Sequence, residues 1–350
     1  MSLDDSLASW DEVAPQFHHA LLVGNGASIA VSASFAYPSL LEIASSSLVA
    51  NRLSPDERAV FESTNDTNFE RVLGELATAA VLAEQVGLDA TPLRERYARI
   101  RRALIEAVHA VHPRHGDLPE ERFERVQESL LHFSEVFTTN YDLQLYWAIT
   151  STKRMDDFRD FFWNPGLAFD LTNTWTPEDK VRVFYLHGAL HLFHLPNGTT
   201  VKATGGDDNP WSPYVPLLDL TFEYKEARYP LFVSEGSTEQ KMAAITSNAY
   251  LGFAYETWNR MCWDWSSTLV IFGHGCGAQD EHICAPIKAR VAKSQERDLS
   301  VPKIAVSIAP RDSDHVIARK LHYREKFHED IVFFDARTHP LGQPTDPPSP

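Results

Sequence analysis

The sequence is poor in cysteine and in positive charge. Its three cysteines, Cys262, Cys276 and Cys284, form no CxxC pair, so neither a disulfide framework nor a zinc ribbon is expected, and a reducing compartment is favoured. The 48 acidic residues outnumber the 32 lysines and arginines, which leaves a net charge of −16. Because affinity for nucleic acid depends mainly on cationic side chains, direct binding to a phosphate backbone is not expected.

Targeting and membrane signals are also missing from the sequence. The first residues, MSLDDSLASWDE, are acidic and lack the basic start and apolar stretch of a secretory signal. No span contains the roughly 18 to 20 apolar residues that a membrane helix needs. The sequence therefore predicts a cytoplasmic protein without membrane contact.

Short runs rich in β-branched or aromatic residues recur along the chain and predict buried strands. These runs are Ala20–Val23, Val136–Thr138, Val181–Leu186, Thr268–Phe272, Ile304–Ile308 and Ile331–Phe334. Helical patterns lie between several of them, over Leu143–Ile149, His282–Val291 and His315–Phe327. This alternation predicts an α/β fold with a Rossmann-like, mostly parallel sheet.

Two stretches interrupt the alternation and predict insertions. Residues 42–132 are helical in pattern and predict an inserted helical subdomain. Residues 195–260 begin with loop-like sequence, continue with a helical pattern, and predict a lid or a partner surface. The Rossmann-like core is then expected over residues 1–41 and 133–338. Residues 339–350 contain five prolines in the last 11 positions and predict a flexible tail.

A glycine-containing turn follows the first predicted strand and consists of Gly24, Asn25, Gly26, Ala27 and Ser28. Glycine lets the backbone approach a diphosphate, and the next helix begins with unpaired N–H groups and a positive dipole end. Ile29 stands where the dehydrogenase fingerprint has its third glycine, and no Gly-Lys-Ser/Thr follows. The alternative is a purely structural turn.

Polar residues also follow the strand that ends at Thr138. Ligands of open α/β sheets bind at the carboxyl ends of strands, so Thr139, Asn140 and Asp142 are expected to face a cleft. Asn140 has a donor and an acceptor that cannot ionise, which suits the orientation of a water or a ribose hydroxyl. The alternative is a helix cap, for which Asn and Asp are common.

Two further motifs complete the candidate site. His187 lies at a strand end beside Gly188, where its near-neutral pKa suits acid or base catalysis, although an isolated histidine is more often structural. A second glycine-rich turn follows the strand that ends at Phe272 and leads into an acid-capped helix. This turn is a candidate ribose or phosphate site through Gly273, His274, Gly275 and Asp280.

The motifs of this sequence, taken in chain order, resemble those of the sirtuin-like superfamily. They are GNGAS, TTNYD, LHG and the glycine turn ending in DEH. The resemblance is specifically to the bacterial sirtuin-like NADases of antiphage defence, and it covers residues 19–41 and 133–310. It implies a pyrophosphate-binding turn at Gly24, Gly26 and Ser28. It also implies a nicotinamide ribose site at Asn140 and Asp142, a catalytic histidine at His187, and an adenosine ribose site at Gly273 and the following turn.

The resemblance implies hydrolysis of NAD⁺ to nicotinamide and ADP-ribose by an abortive-infection effector. Protein deacylases of the superfamily carry a four-cysteine zinc module that this chain lacks, so deacylation is the less favoured activity. In the expected reaction Asn140 positions a water, His187 accepts a proton, and Asp142 either offsets the developing positive charge or only caps a helix. NAD⁺ is then the substrate, and no metal is expected.

Other functions compete with this interpretation. One alternative is a non-catalytic module that senses NAD or ADP-ribose in the same cleft. Another is a pure scaffold, which would bind no ligand in the cleft. A metal hydrolase needs a ligand set, but the histidine clusters around His109, His187 and His274 match no zinc template. The resemblance implies a homo-oligomer with a HerA-type ATPase or helicase, or an Argonaute-like protein, as a defence partner.

Overall fold

The computed structural model describes residues 4–150, 153–203, 229–233, 238–263 and 267–344. The described strands, in chain order, are β1 Ala20–Val23, β2 Glu135–Thr138, β3 Phe158–Arg159, β4 Val181–Tyr185, β5 Gly188–His194, β6 Thr200–Lys202, β7 Tyr229–Phe232, β8 Thr268–Phe272, β9 Lys303–Ile308 and β10 Val332–Asp335. Seven of them form a central sheet in the order β10-β9-β8-β1-β2-β4-β3. All of its neighbouring strands are parallel, which confirms the Rossmann-like α/β fold.

The centre of this sheet is β1, which pairs with β2 on one side and with β8 on the other. Its four residues are buried, as expected for a strand covered on both faces. The six strands predicted from apolar runs are confirmed within one or two residues at each end. The sequence did not indicate β3, because a two-residue edge strand is too short to show a period.

Twelve α-helices are described: α1 Trp10–Val13, α2 Gly26–Val31, α3 Tyr37–Ala44, α4 Pro55–Thr64, α5 Phe69–Gln85, α6 Thr91–Val111, α7 Glu120–Leu130, α8 Gln144–Thr150, α9 Thr238–Ser247, α10 Ala249–Trp263, α11 Glu281–Glu296 and α12 Ser313–Lys326. Several begin at side chains that accept hydrogen bonds from the first turn. Ser54 caps α4, Asn68 caps α5 and Asp312 caps α12.

The helical pattern of residues 42–132 corresponds to the end of α3 and to α4 through α7. Helix α5 packs against α6, and α6 packs against α3. The apolar face of α5, with Phe69, Val72 and Leu73, is fully buried. These side chains belong to the same hydrophobic cluster as Leu21 and Leu22 of β1, so the helices and the sheet share one core.

A small antiparallel sheet, with the order β6-β5-β7, follows β4. The sequence did not indicate it, because β5 is buried along most of its length and lacks the alternation of a half-exposed strand. Gly188 begins β5 with φ at +81°, and a Cβ there would lie 1.9 Å from the carbonyl oxygen of Leu231. Much of the predicted insertion at 195–260 lies outside the described residues, which omit 204–228 and 234–237.

The first part of the predicted flexible tail is packed. Residues 340–342 form a 3₁₀ helix in which Leu341 is buried, and Arg122 donates a hydrogen bond of 2.5 Å to the carbonyl oxygen of Gln343. The expectation of a loose segment from residue 339 is therefore wrong up to residue 344. His339 and Leu341, on either side of Pro340, are both buried and anchor the segment. Residues 345–350 lie outside the description.

None of the helices in the described part of the chain is both long and apolar enough to cross a bilayer. This agrees with the absence of long apolar runs from the sequence.

Candidate functional site

A cavity of about 240 Å³ lies at the carboxyl edge of the central sheet. The chain leaves β1 towards β2 on one side, whereas β8 continues towards β9 on the other, so the strand order reverses between β1 and β8. Ligands of open α/β sheets bind at such a reversal. The turns that follow β1 and β8 both line the cavity, through Asn25 and through residues 273–280.

Most of the site residues predicted from the sequence line this one cavity. Asn140 and His187, the two expected catalytic side chains, both do so. The others are Asn25, Thr139, Asp142, Gly273, His274, Gly275 and Asp280. Four residues of the first glycine turn are not among the lining residues, namely Gly24, Gly26, Ala27 and Ser28.

The two glycines of the first turn serve a contact between loops. The amide N–H of Gly24 donates to the carbonyl oxygen of Phe272 at 2.8 Å, and that of Gly26 donates to Gly273 at 2.8 Å. A Cβ on Gly24 would lie 2.5 Å from the Cα of His274. The end of β8 and the turn after it therefore already accept these two N–H groups. The pyrophosphate-binding turn at Gly24, Gly26 and Ser28 stays a prediction.

Asn140 is held by a hydrogen-bond network that includes the end of the same turn. Its Nδ2 donates to Ser28 Oγ at 2.9 Å, and Ser28 Oγ donates to the carboxylate of Asp142. Asp142 also accepts from the backbone N–H of Gln144 at 2.9 Å, where α8 begins, so it caps that helix. The buried Oδ1 of Asn140 has no hydrogen-bond partner among the described residues, which leaves it able to accept one.

His187 forms a hydrogen bond with a second histidine. Its Nε2 lies 2.8 Å from Nε2 of His282, with ring centroids 5.0 Å apart and ring planes inclined by 22°. The two Nε2 atoms are closer together than the ring centroids, so each ring directs its Nε2 towards the other ring. One ring therefore donates an N–H to the lone pair of the other.

Both histidines of this pair are neutral near pH 7. Burial lowers the pKa of His187 well below its ordinary value, and the ammonium of Lys241 lowers it further. Burial also lowers the pKa of His282 to about 4. His187 is thus a neutral imidazole, and its Nε2 is already engaged.

His187, His282 and Asp280 are also close enough together to suggest a metal centre. Their donor atoms lie within 4.8 Å of one another. However, the two Nε2 atoms face each other directly at 2.8 Å, which leaves no room for a shared ion between them at ordinary metal–nitrogen distances of about 2.0 to 2.1 Å. The carboxylate of Asp280 is bound by Lys241. This geometry favours a hydrogen-bonded pair over a ligand set.

Other histidines considered as metal ligands have structural partners. His112 bonds to the carbonyl oxygen of Pro113 and accepts from the N–H of Leu143. His191 is fully buried and stacks on the ring of Tyr146.

An ion triad, which the sequence did not indicate, forms part of the cavity wall. Nζ of Lys241 lies 2.6 Å from Oε2 of Glu70 and 2.8 Å from Oδ1 of Asp280. Burial alone disfavours the charge of Lys241, but the two carboxylates hold its pKa above the ordinary value. In the sequence, Glu70 looks like a first-turn acid of a helix and Lys241 like a surface charge, so no pattern relates them.

Part of the cavity lining is apolar. Phe35 and Leu40 contribute from the segment after α2, and Leu104 and Val108 contribute from α6. Helices between β1 and β2 therefore cover the carboxyl edge of the sheet. The lining combines these apolar side chains, which suit a planar ring, with polar side chains such as Asn140, His187 and Asp280.

One comparison with known families gives a match. A family model described as a domain of unknown function (DUF4917) matches residues 21–340. No curated protein matches the chain. The matched range contains all of the residues that line the cavity.

Proposed function

Because the chain belongs to the DUF4917 family of domains of unknown function, we propose its activity from the site: it is an NAD⁺ glycohydrolase that produces nicotinamide and ADP-ribose. The observation that carries this proposal is that Asn140 and His187 line one cavity at the reversal of a parallel sheet. Dinucleotides bind at this position in Rossmann-like folds. The order of the motifs, which resembles the sirtuin-like NADases, supports the same reaction.

The proposed reaction needs a positioned water and a proton acceptor. The bond between C1′ of the ribose and the pyridinium nitrogen breaks, and its electron pair neutralises the departing nicotinamide. Asn140 Oδ1 accepts a hydrogen bond from the water that attacks C1′. The proton released by that water passes to His187.

The contact with His282 determines which nitrogen of His187 takes part. Because Nε2 of His187 is engaged by His282, the proton acceptor is Nδ1, and the hydrogen between the two rings then belongs to His187. Asp142 supports the reaction indirectly, since it holds Ser28, which in turn holds Asn140. Ser28 is therefore proposed to position Asn140.

The proposed setting is the cytoplasm, and the proposed role is abortive infection in antiphage defence. The three cysteines are free thiols and all are buried, which suits a reducing compartment. Loss of NAD⁺ is toxic, so the enzyme has to be held inactive until a trigger acts. By resemblance, the proposed partners are further copies of the chain and a HerA-type ATPase or helicase, or an Argonaute-like protein.

Incubation of the purified chain with NAD⁺, alone and with the products of neighbouring genes, tests this proposal. Chromatography would follow nicotinamide and ADP-ribose. Asn140→Ala and His187→Ala are expected to lower product release by about a hundredfold or more. Asn197→Ala and His315→Ala, which lie away from the cavity, serve as matched controls.

Three results would contradict the proposal. Product release that persists unchanged in both cavity variants would place the chemistry elsewhere. Acetyl release from lysine peptides at a comparable rate would favour deacylation. Binding of NAD⁺ or ADP-ribose without cleavage, under every partner condition, would favour a sensing module.

A further inference from the structure

Three charged side chains form an ion triad at the wall of the cavity. Glu70 comes from α5, Lys241 from α9, and Asp280 from the turn before α11. Lys241 is fully buried, whereas both carboxylates line the cavity. One ammonium between two carboxylates leaves the triad with one negative charge in excess.

The surroundings of the triad do not neutralise this charge. Tyr37 donates a neutral hydrogen bond of 3.1 Å to Oε1 of Glu70. His274 lies 3.8 Å from Asp280 and His187 lies nearby, but burial lowers the pKa of both rings, so both are neutral near pH 7. No lysine or arginine is among the described residues that line the cavity.

The third carboxylate that lines the cavity has a cation beside it. Asp142 also lines the cavity, and the guanidinium of Arg122 interacts with it from the side of α7. The excess charge is therefore that of Glu70 and Asp280 over Lys241. A buried charge without a counter-ion is costly unless a ligand compensates it. None of the described residues that line the cavity supplies the compensating cation, so a cationic ligand would complete the charge balance of the site.

We propose that the cavity selects the cationic, oxidised form of a nicotinamide riboside group, and that the Glu70–Lys241–Asp280 triad supplies the complementary negative charge. This inference rests on the proposed NAD⁺ hydrolysis. The oxidised ring carries one positive charge, which the reduced dihydro ring lacks. When the bond to nicotinamide breaks, that charge passes to C1′ of the ribose and stays inside the cavity, so the triad favours the bound substrate and the cation formed from it.

The test compares two probes that differ by one hydride and one charge. Nicotinamide riboside and its reduced dihydro form would be titrated into the full chain at pH 7.5 by isothermal titration calorimetry. The oxidised probe is expected to bind about tenfold more tightly or better, as one unscreened charge pair allows. Equal affinities, or no binding of the oxidised probe at millimolar concentration, would overturn the proposal, and this comparison requires no variant.

Variants of the triad then test whether its negative charge causes the preference for the oxidised probe. Glu70→Gln keeps the size of the side chain but makes the triad neutral, so the preference for the oxidised probe is expected to fall about fivefold or more. Glu75→Gln, on the exposed face of the same helix, is the matched control and should keep the preference. If Glu70→Gln does not fold, Asp280→Asn takes its place, because it removes one negative charge from the other carboxylate of the triad. An unchanged preference in the folded neutral variant would overturn the assignment.

The outcome is separable from that of the proposed hydrolysis. Preference for the oxidised probe without any cleavage of NAD⁺ would refute the hydrolase and keep the cation site. Cleavage of NAD⁺ without such a preference would refute the cation site and keep the hydrolase.

Discussion

At the scale of single residues, the two proposed catalytic side chains are each held by a partner from a different motif. Asn140 depends on Ser28, and His187 depends on His282. His191 is different, because its ring is fully buried and neither ring nitrogen has a hydrogen-bond partner among the described residues. It packs between the rings of Tyr146 and Tyr185. The ring of His191 therefore contributes to the folded state by packing alone. Because it is buried in its neutral form, it lowers the free energy of unfolding in acid.

His191→Phe is expected to reduce the acid sensitivity of folding. Burial lowers the pKa of His191 to about 3, whereas in the unfolded chain a histidine takes up its proton below about pH 6.5. Proton uptake thus favours the unfolded chain as pH falls from 6.5 towards 3. Between pH 6.5 and 4 the free energy of unfolding should fall by about 3 kcal/mol more in the natural protein than in the variant.

Urea unfolding at a series of pH values checks this prediction. At pH 7.5 the variant is expected to be at least as stable as the natural protein, because two buried polar atoms without partners are removed. His315→Gln, on α12, is the control. Parallel stability curves for the variant and the natural protein would show that His191 is not the group that titrates.

At the scale of elements, the turns after β1 and β8 form one unit. Their backbones are hydrogen bonded, and each contains glycines that face the other. The same glycines, taken from one turn at a time, resemble separate phosphate-binding loops. Their close approach joins the two turns at the point where the strand order reverses.

Gly26→Ala is expected to force these two turns apart. A Cβ at this position would lie 2.6 Å from the Cα of Gly273, which is backbone and cannot move aside alone. We expect a loss of about 1 to 3 kcal/mol in the free energy of unfolding, together with loss of ligand binding. Gly116→Ala is the matched control away from the cavity, because a Cβ there meets nothing within 4 Å.

Chemical denaturation and calorimetric titration of NAD⁺ measure these two effects. Equal stability and equal binding in the Gly26 and Gly116 variants would contradict the close packing of the turns.

At the scale of the whole molecule, the two chain ends close against each other beside the site. The N–H of Trp10 donates to Oγ1 of Thr338 at 2.8 Å, and Ala8 pairs with Phe334 beside β10. Leu341 then reaches a small pocket that Ala27 and Ser28 also line. The end of the chain thereby supports α2, and α2 carries the serine that holds Asn140.

Leu341→Ala is expected to destabilise the protein by about 2 to 4 kcal/mol, since it leaves a cavity in the core. The free energy of unfolding in urea gives the measurement. Leu171→Ala, at an exposed leucine, is the control and should change it by less than about 0.5 kcal/mol. A small effect at Leu341 would mean that the chain end does not support α2.

The sequence by itself determined the α/β class, the six longer strands of the sheet and the positions of Asn140 and His187 after two of them. It could do so because buried parallel strands are short apolar runs, and because residues that follow them meet at one edge of the sheet. The association of Glu70 with Lys241, the pairing of His187 with His282 and the contact between the glycine turns were decided only by the tertiary structure. Each joins side chains or turns that are far apart in the chain, and neither hydropathy nor local propensity depends on such a neighbour.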